Sequence, residues 1–365
     1  MRQRADSKPL RRLLAVMAIA LAAWAVAQAL RQTGREEGLA VPTRWVNGRV
    51  IVSPAVAQAG LLLGRPLGLA IDDSAEELYV ADCKRNVVVV FDFGGRLKRT
   101  IGRTGQGPGE FLQPVDVDIA AGRLYVLEAG NYRVSILNTN GEYLASFKVG
   151  PLSADQRIAV SPDGKRIYLN EPTPLSGKLF VVYDEVGTVV QRFGDLLDAM
   201  DGTGKFETNT VCFDLDRDGN LYVFYAFTPV VRKYDANGHL VYSGTLRILE
   251  GDDKLQDWKL LLREHPMGAL VTFVSDVFIT SNDKVYLAVP PSRRLVQKFG
   301  EALAVLYEMD VHCRPLRRMF WRVPEPSTQT YFDGLCVSES GKIFGTMASV
   351  PALVVLNMEP AQDVN

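Results

Sequence analysis

An all-β chain folded as a six-bladed β-propeller, led by an apolar export segment and carrying two interblade insertions, is what the sequence predicts. Three observations carry that expectation. One unit recurs six times, each copy holds short alternating apolar runs parted by turn residues, and an aromatic stands at a matching place in the second run of every copy. At 365 residues and 40.3 kDa, length alone would suggest two or three domains. The repeat makes one larger unit instead. A composition of 47% hydrophobic and 23% charged residues excludes wholesale disorder, collagen and a small disulfide scaffold. The 41 basic and 42 acidic side chains give a net charge of -1, so nothing drives the whole chain toward nucleic acid or an anionic membrane. A charged partner has to be met by a local patch.

The first element is residues 1–30. Arg2, Arg4, Lys8, Arg11 and Arg12 precede an 18-residue run without charge from Leu13 to Leu30, the order of an export signal. Ala25-Val26-Ala27 and Ala27-Gln28-Ala29 each offer a small-residue cleavage pattern, while the run also reaches the lower limit for spanning a bilayer. A cleaved signal and a retained anchor both fit. Either way, residues after 31 are expected outside the cytoplasm, secreted, periplasmic or tethered, with residues 13–30 as the only membrane contact if the signal stays. Residues 31–43 read as a linker and 358–365 as a tail, leaving 44–357 for the propeller.

The clearest copies begin at Pro66 and Pro114, and weaker ones at Ile158, Val211, Val277 and Leu335. Their second-strand aromatics are Tyr79, Tyr125, Tyr168, Tyr222, Tyr286 and Phe344, spaced by 46, 43, 54, 64 and 58 residues. Four strands per period of about 40–50 residues is the arithmetic of a propeller blade. The last copy holds only three strand candidates, and the unassigned run RWVNGRVIV from Arg44 is available to close it as the outer strand. A closed ring leaves no sheet end open.

LYVAD at 78–82, LYVLEAGNYRVSIL at 124–137 and the connector GQGPGEFLQP at 105–114 resemble the NHL-repeat family of six-bladed propellers, strongly over residues 66–147. Later copies keep the spacing but lose the Asp after the second strand and the Asn that follows. The resemblance implies a scaffold shared by extracytoplasmic binding modules, domains that hold proteins or RNA, and a few lyases, so function must come from the site.

In a blade of this pattern, loops after second strands and loops entering first strands emerge on one face around the channel. Asp82, Lys84, Arg85, Glu128, Asn131, Arg133, Asn170, Glu171, Arg232, Arg293 and Arg294 fall at or beside them. Asp82, Arg85, Glu128, Arg133, Glu171, Arg232 and Arg294 form the candidate ligand-binding set. Arg133, Arg232 and Arg294 are expected to start third strands in three blades, a polar ring suited to an anionic or hydroxyl-rich ligand. Solvated loop charges and inter-blade salt bridges explain the same residues.

Two insertions should project over that face. Residues 245–273 contain DDKLQDWKLLLREHP, a helix opened at Asp252, with Leu255, Trp258 and Leu262 on one side and Pro266 as its stop. Residues 309–330 contain CRPLRRMFWRVPEP, four arginines around Phe320 and Trp321, read as a second lid. Basic residues among aromatics can bind nucleic acid, but an exported, neutral chain is not expected to meet it. A protein or small-molecule partner is the expectation.

Chemistry-bearing residues are sparse. DLDRDG, with Asp214, Asp216, Asp218 and Gly219, imitates the start of a calcium loop, but its twelfth position is Tyr225 where a Glu is needed. A β-turn explains it. His239, His265 and His312 share no repeat position, although His265 or His312 leaves one central imidazole open. Cys83, Cys212, Cys313 and Cys336 do not fix a pairing. Cys212 and Cys336 read as buried inner-strand thiols, and a Cys83–Cys313 bridge stays open. No catalytic residue, resident metal or cofactor is expected. The reading is a non-catalytic binding or interaction module. Its competitor is a propeller lyase or lactonase-like hydrolase in which Asp82, Glu128 or Glu171 holds a calcium-like ion or acts as base.

Overall fold

A computed structural model describes residues 41–52, 63–150, 155–171, 177–199, 204–264, 271–300, 303–323 and 331–360. The apolar run 13–30, the linker before Val41, His265, Pro266 and the tail after Pro360 lie outside the described residues. Among the described residues, no helix is long and apolar enough to cross a membrane.

Among the described residues, twenty-four strands form six antiparallel blades of four. Blade 1 holds β2 (Pro66–Asp72), β3 (Glu77–Asp82), β4 (Val87–Asp92) and β5 (Leu97–Ile101), and blade 2 holds β6 (Pro114–Ala120), β7 (Arg123–Glu128), β8 (Arg133–Asn138) and β9 (Tyr143–Lys148). Blade 3 is β10 (Ile158–Val160), β11 (Ile167–Asn170), β12 (Lys178–Tyr183) and β13 (Val189–Asp195). Blade 4 is β14 (Val211–Leu215), β15 (Leu221–Tyr225), β16 (Val230–Tyr234) and β17 (Leu240–Thr245). Blade 5 follows with β18 (Asp276–Ile279), β19 (Val285–Val289), β20 (Leu303–Met309) and β21 (Pro315–Arg322). Blade 6 has β22 (Gly334–Val337), β23 (Ile343–Met347) and β24 (Ala352–Pro360), with β1 (Thr43–Val52) as its fourth strand. Each inner strand packs on the next, and β22 returns to β2, so the ring is closed. Closure gives the second- and third-strand side chains of one blade a buried partner surface on the next.

β1 does more than fill a place. It runs antiparallel to β24 through Val52 and pairs parallel with β21 at Thr43–Trp45, joining blades 5 and 6 into one eight-stranded sheet. Gly48 allows this approach: a Cβ there would stand 2.2 Å from Leu356 Cδ2 and 2.5 Å from Trp321 Nε1.

The repeat aromatics are wedges between blades. Tyr79, Tyr125, Tyr222 and Tyr286 are buried among β-branched side chains. Three of the hydroxyls find polar partners, as buried tyrosines require. Tyr79 donates to Glu77 at 2.7 Å, Tyr125 donates to the Gly164 carbonyl of blade 3 at 3.2 Å, and Tyr222 accepts from Lys233 at 2.6 Å.

Among the described residues three helices interrupt the strands: α1 (Lys205–Thr208), α2 (Gly251–Glu264) between blades 4 and 5, and α3 (Arg293–Phe299) inside blade 5. Residues 315–322 are no lid, because they pair along β20 as the fourth strand of blade 5, with Met319, Phe320 and Trp321 buried. Arg294 does not start a third strand. Ser292 accepts the Leu295 N–H at 3.4 Å and opens α3 instead, so the third strand of blade 5 begins at Leu303.

Candidate functional site

Strand register shows which side chains meet at the ring's centre. Opposite the six repeat aromatics on the inner strands stand Ala70, Asp118, Ala159, Asp214, Phe278 and Cys336. Two residues earlier, nearer the mouth, stand Gly68, Asp116, Arg157, Cys212, Asp276 and Gly334. Alternation puts both sets on the same side of their strands. The channel wall therefore carries four carboxylates, one guanidinium and two thiols.

Arg157 spans this channel. It enters from blade 3, its Nη2 donates to the Asp333 carbonyl of blade 6 at 2.9 Å, and its Nε stands 4.0 Å from Asp276 Oδ1 of blade 5. Blades 3 and 6 are opposite in a six-membered ring, so the side chain is a strut across the opening. Its Nη1 is buried without a hydrogen-bond partner. Gly68 leaves room at the same level, where a Cβ would stand 2.2 Å from Asp116 Oδ1.

Each carboxylate is a staple between blades. Asp116 accepts from Ile158 N–H at 2.9 Å, Asp118 from Val160 at 2.7 Å, Asp214 from Ile279 at 2.7 Å and Asp276 from Leu335 at 2.7 Å. In every case the donor is the inner strand of the following blade. The second oxygens of Asp116, Asp118 and Asp214 accept the next N–H of their own strands. Burial raises all four, Asp116 to about 6, Asp118 to about 7, and Asp214 and Asp276 to about 8. Backbone donors pull the other way for all four, as does Arg157 for Asp116 and Asp276, but desolvation wins. Burial likewise pushes the Cys212 thiol up to about 12, an unreactive state.

The candidate set from sequence is distributed otherwise. Asp82, Glu128 and Glu171 share one repeat position, three residues after the aromatic. Asp82 is buried and accepts from the backbone of Gly64, Arg65 and Arg85, fixing the loop into blade 1. Glu128 is buried and accepts from Arg133 Nε at 2.7 Å, Ser135 at 2.6 Å, Asn131 at 2.6 Å and Leu112 N–H at 3.1 Å. Arg133 spends its other nitrogens on the carbonyls of Gln106, Gly107 and Glu110, clasping the glycine-rich connector. Glu171 pairs with Arg192 at 3.0 Å. Arg232 is the third residue of β16 and lies over the Tyr225 ring at 5.5 Å while donating to the Asp195 carbonyl. Arg85 is exposed, as is Arg294, whose Nη1 stands 3.6 Å from Asp253. Of the seven, Glu128 and Arg133 meet through their side chains, and Asp82 accepts the backbone N–H of Arg85 at 3.2 Å.

Other expectations find their places. His239 and His312 sit on turns between third and fourth strands, away from the channel, with Asp235 accepting the His239 N–H and Asp310 the His312 N–H. A central imidazole from His312 is thereby overturned. All four cysteines are free and buried, so the Cys83–Cys313 bridge is absent. The Asp216 carboxylate accepts from the N–H groups of Asp218 and Asn220, a tight turn, while Asp214 faces the channel. Among the described residues, no group of His, Cys, Asp or Glu could hold a metal ion.

Sequence reasoning missed Asp116, Asp118, Arg157 and Asp276. Their signal was available: in PVDVDIA two aspartates alternate with apolar residues on a strand buried in the ring, and buried polar residues are the informative ones.

Comparison with known proteins agrees with this architecture. A family model described as a 6-bladed beta-propeller matches residues 66–193, the first three blades. A protein of Bacteroides fragilis NCTC 9343 described as exported superposes with a TM-score of 0.55 at 10% identity, covering 86% of this chain and 98% of that one. A duf4221 family member from Bacteroides vulgatus gives 0.52 at 11% identity, with 82% and 94% covered. Virginiamycin B lyase from Staphylococcus aureus gives 0.50 at 9%, with 86% and 99% covered. Likeness at this identity establishes the fold and leaves function to the site.

Proposed function

We propose that this chain is an exported, NHL-like propeller that works as a non-catalytic binding module, taking a small polar ligand or a partner segment at the mouth of its channel. The Arg157 strut carries this reading. It closes the channel one layer below the mouth, and its partnerless Nη1 is a donor for a carboxylate or carbonyl of an arriving ligand. The carboxylates around it are held by backbone donors, which suits a rigid floor better than a proton shuttle. The exported description of the Bacteroides fragilis structure and the basic-then-apolar N-terminus support a site outside the cytoplasm.

The competing reading, a propeller lyase or hydrolase, has one observation in its favour. Burial pushes Asp116, Asp118, Asp214 and Asp276 up toward neutrality, and Arg157 stands beside Asp116 and Asp276, an arrangement general acids and bases use. One thermal-shift screen against sugars, peptides, dicarboxylates and lactones, with calcium or EDTA, separates the two. Stabilisation by an organic ligand that Arg157→Lys abolishes, with the ligand recovered unchanged, supports binding. Ligand turnover, lost in Asp276→Asn, would establish the enzyme.

A further inference from the structure

We propose that the corner formed by α3, the end of β21 and the start of β1 is a docking surface for an anionic phospholipid bilayer, so that the propeller rests on the membrane. The proposal rests on the export reading for the identity of that membrane.

Three aromatics meet at this corner. Trp45 of β1 lies 5.7 Å from Phe299 and 5.5 Å from Phe320, and Phe299 lies 5.5 Å from Phe320. Phe320 is buried, but Trp45 and Phe299 are only half-buried. A cation stacks on each ring: Arg322 over Trp45 at 5.7 Å, Lys298 over Phe299 at 4.9 Å and Arg318 over Phe320 at 4.6 Å. Arg318 is committed to Glu250 at 2.7 Å. Arg322 and Lys298 are exposed and have no acidic partner among the described residues.

The helix that completes the corner buries none of its seven residues, so it does not serve the core. It begins Arg293-Arg294. Of the acids alongside, Asp253 stands 3.6 Å from Arg294, and Asp257 accepts the backbone N–H of Arg293 at 3.1 Å. A chain of net charge -1 thus presents a local excess of Arg293, Lys298 and Arg322 around two accessible rings. Trp and Phe at the boundary of the acyl chains, with Arg and Lys reaching the headgroups, is the chemistry of a membrane interface.

Position agrees with composition. Twelve residues separate Leu30 from Thr43, which reach about 40 Å at most. If the apolar run 13–30 stays in the bilayer, that tether keeps Trp45, the third residue of β1, within range of the surface.

The test uses the full-length chain in nanodiscs of phosphatidylcholine alone or mixed with phosphatidylglycerol, with hydrogen exchange read at residues 293–299 and 318–322. Protection in the phosphatidylglycerol discs, removed by high salt and by the double variant Lys298→Glu with Arg322→Glu, is the expected result. Each cation lost should weaken surface partitioning about fivefold. Both side chains are exposed, so the melting temperature of the variant should be unchanged. Equal protection in the two lipids, or protection that survives charge reversal, overturns the proposal. Protection by an oligonucleotide with none by lipid overturns it in favour of nucleic acid. A C-terminal alkaline phosphatase fusion reads export separately: a cytoplasmic result would remove that reading and leave the lipid result to stand or fall alone.

Discussion

Blades 1–3 and blades 4–6 share one strand plan but hold their mouths together differently. Three residues after the repeat aromatic, the first three blades carry Asp82, Glu128 and Glu171, and the last three carry Tyr225, Val289 and Met347. In blades 1 and 2 that carboxylate is buried and ties down the loop from the preceding blade. Later blades lack it, and other parts appear: α2 between blades 4 and 5, α3 within blade 5, and β1 as a strap across blades 5 and 6. Where the repeat loses its local staple, added elements do the fastening.

The sharpest way to break this contrast is Glu128→Ala. It strands the buried Arg133 guanidinium and removes the acceptor for Ser135, Asn131 and Leu112. Breaking a buried pair from one side costs about 3–5 kcal/mol. Melting should fall by roughly 4–8 °C. Glu171→Ala, at the same repeat position but paired with a half-exposed Arg192, should cost less than about 1 kcal/mol. Equal losses would show that the shared position, rather than burial, sets the effect.

On the other side of the molecule, Gly48→Val drives a side chain into Trp321 and Leu356. Overpacking of this kind costs about 1–3 kcal/mol. Hydrogen exchange should accelerate in 43–52 and 352–356 and stay slow in 66–148. Uniform acceleration would mean the ring yields as one unit, with no separate strap.

These contrasts also explain what could be read in advance. Hairpins and aromatics repeat at near-constant spacing because each blade needs them to pack on the next, so periodicity reported the fold. The channel could not be read the same way. Arg157 meets Asp333 across 176 residues, and nothing in one copy predicts which blade its side chain will reach. Asp116 and Asp118 look like the polar half of an ordinary alternating strand until closure buries them. Residues 315–322 misled because arginines among aromatics suggest a surface loop, whereas the aromatics Phe320 and Trp321 belong to the outer strand of blade 5.

The channel carboxylates give a pH signature that spans both halves. Unfolded aspartates lose their protons near pH 3.9. In the folded ring Asp118 holds its proton to about 7, and Asp214 and Asp276 to about 8. The folded state binds more protons between those limits, so stability is greatest at the acidic end and falls as pH rises toward 8, by about 1.4 kcal/mol per pH unit for each proton retained. Chemical denaturation from pH 5 to 8 should show this decline, and Asp214→Asn should flatten it by one proton's share. A flat profile in the wild type would mean that the carboxylates ionise in place.

The smallest effect is expected where sequence most suggested a metal. Asp214, Asp216 and Asp218 alternate as calcium ligands do, yet they go three ways. Asp214 bonds Ile279 at the channel, Asp216 holds the turn through Asn220 and Asp218, and Asp218 itself is exposed. Carboxylates must converge on one point to bind a hard cation. Asp218→Asn should therefore shift stability by less than about 0.5 kcal/mol, as surface changes do. The shift should be the same in calcium as in EDTA. A calcium-dependent rise in melting temperature that Asp218→Asn abolishes would show that the turn can rearrange into a loop, making blade 4 the one blade fastened by an ion.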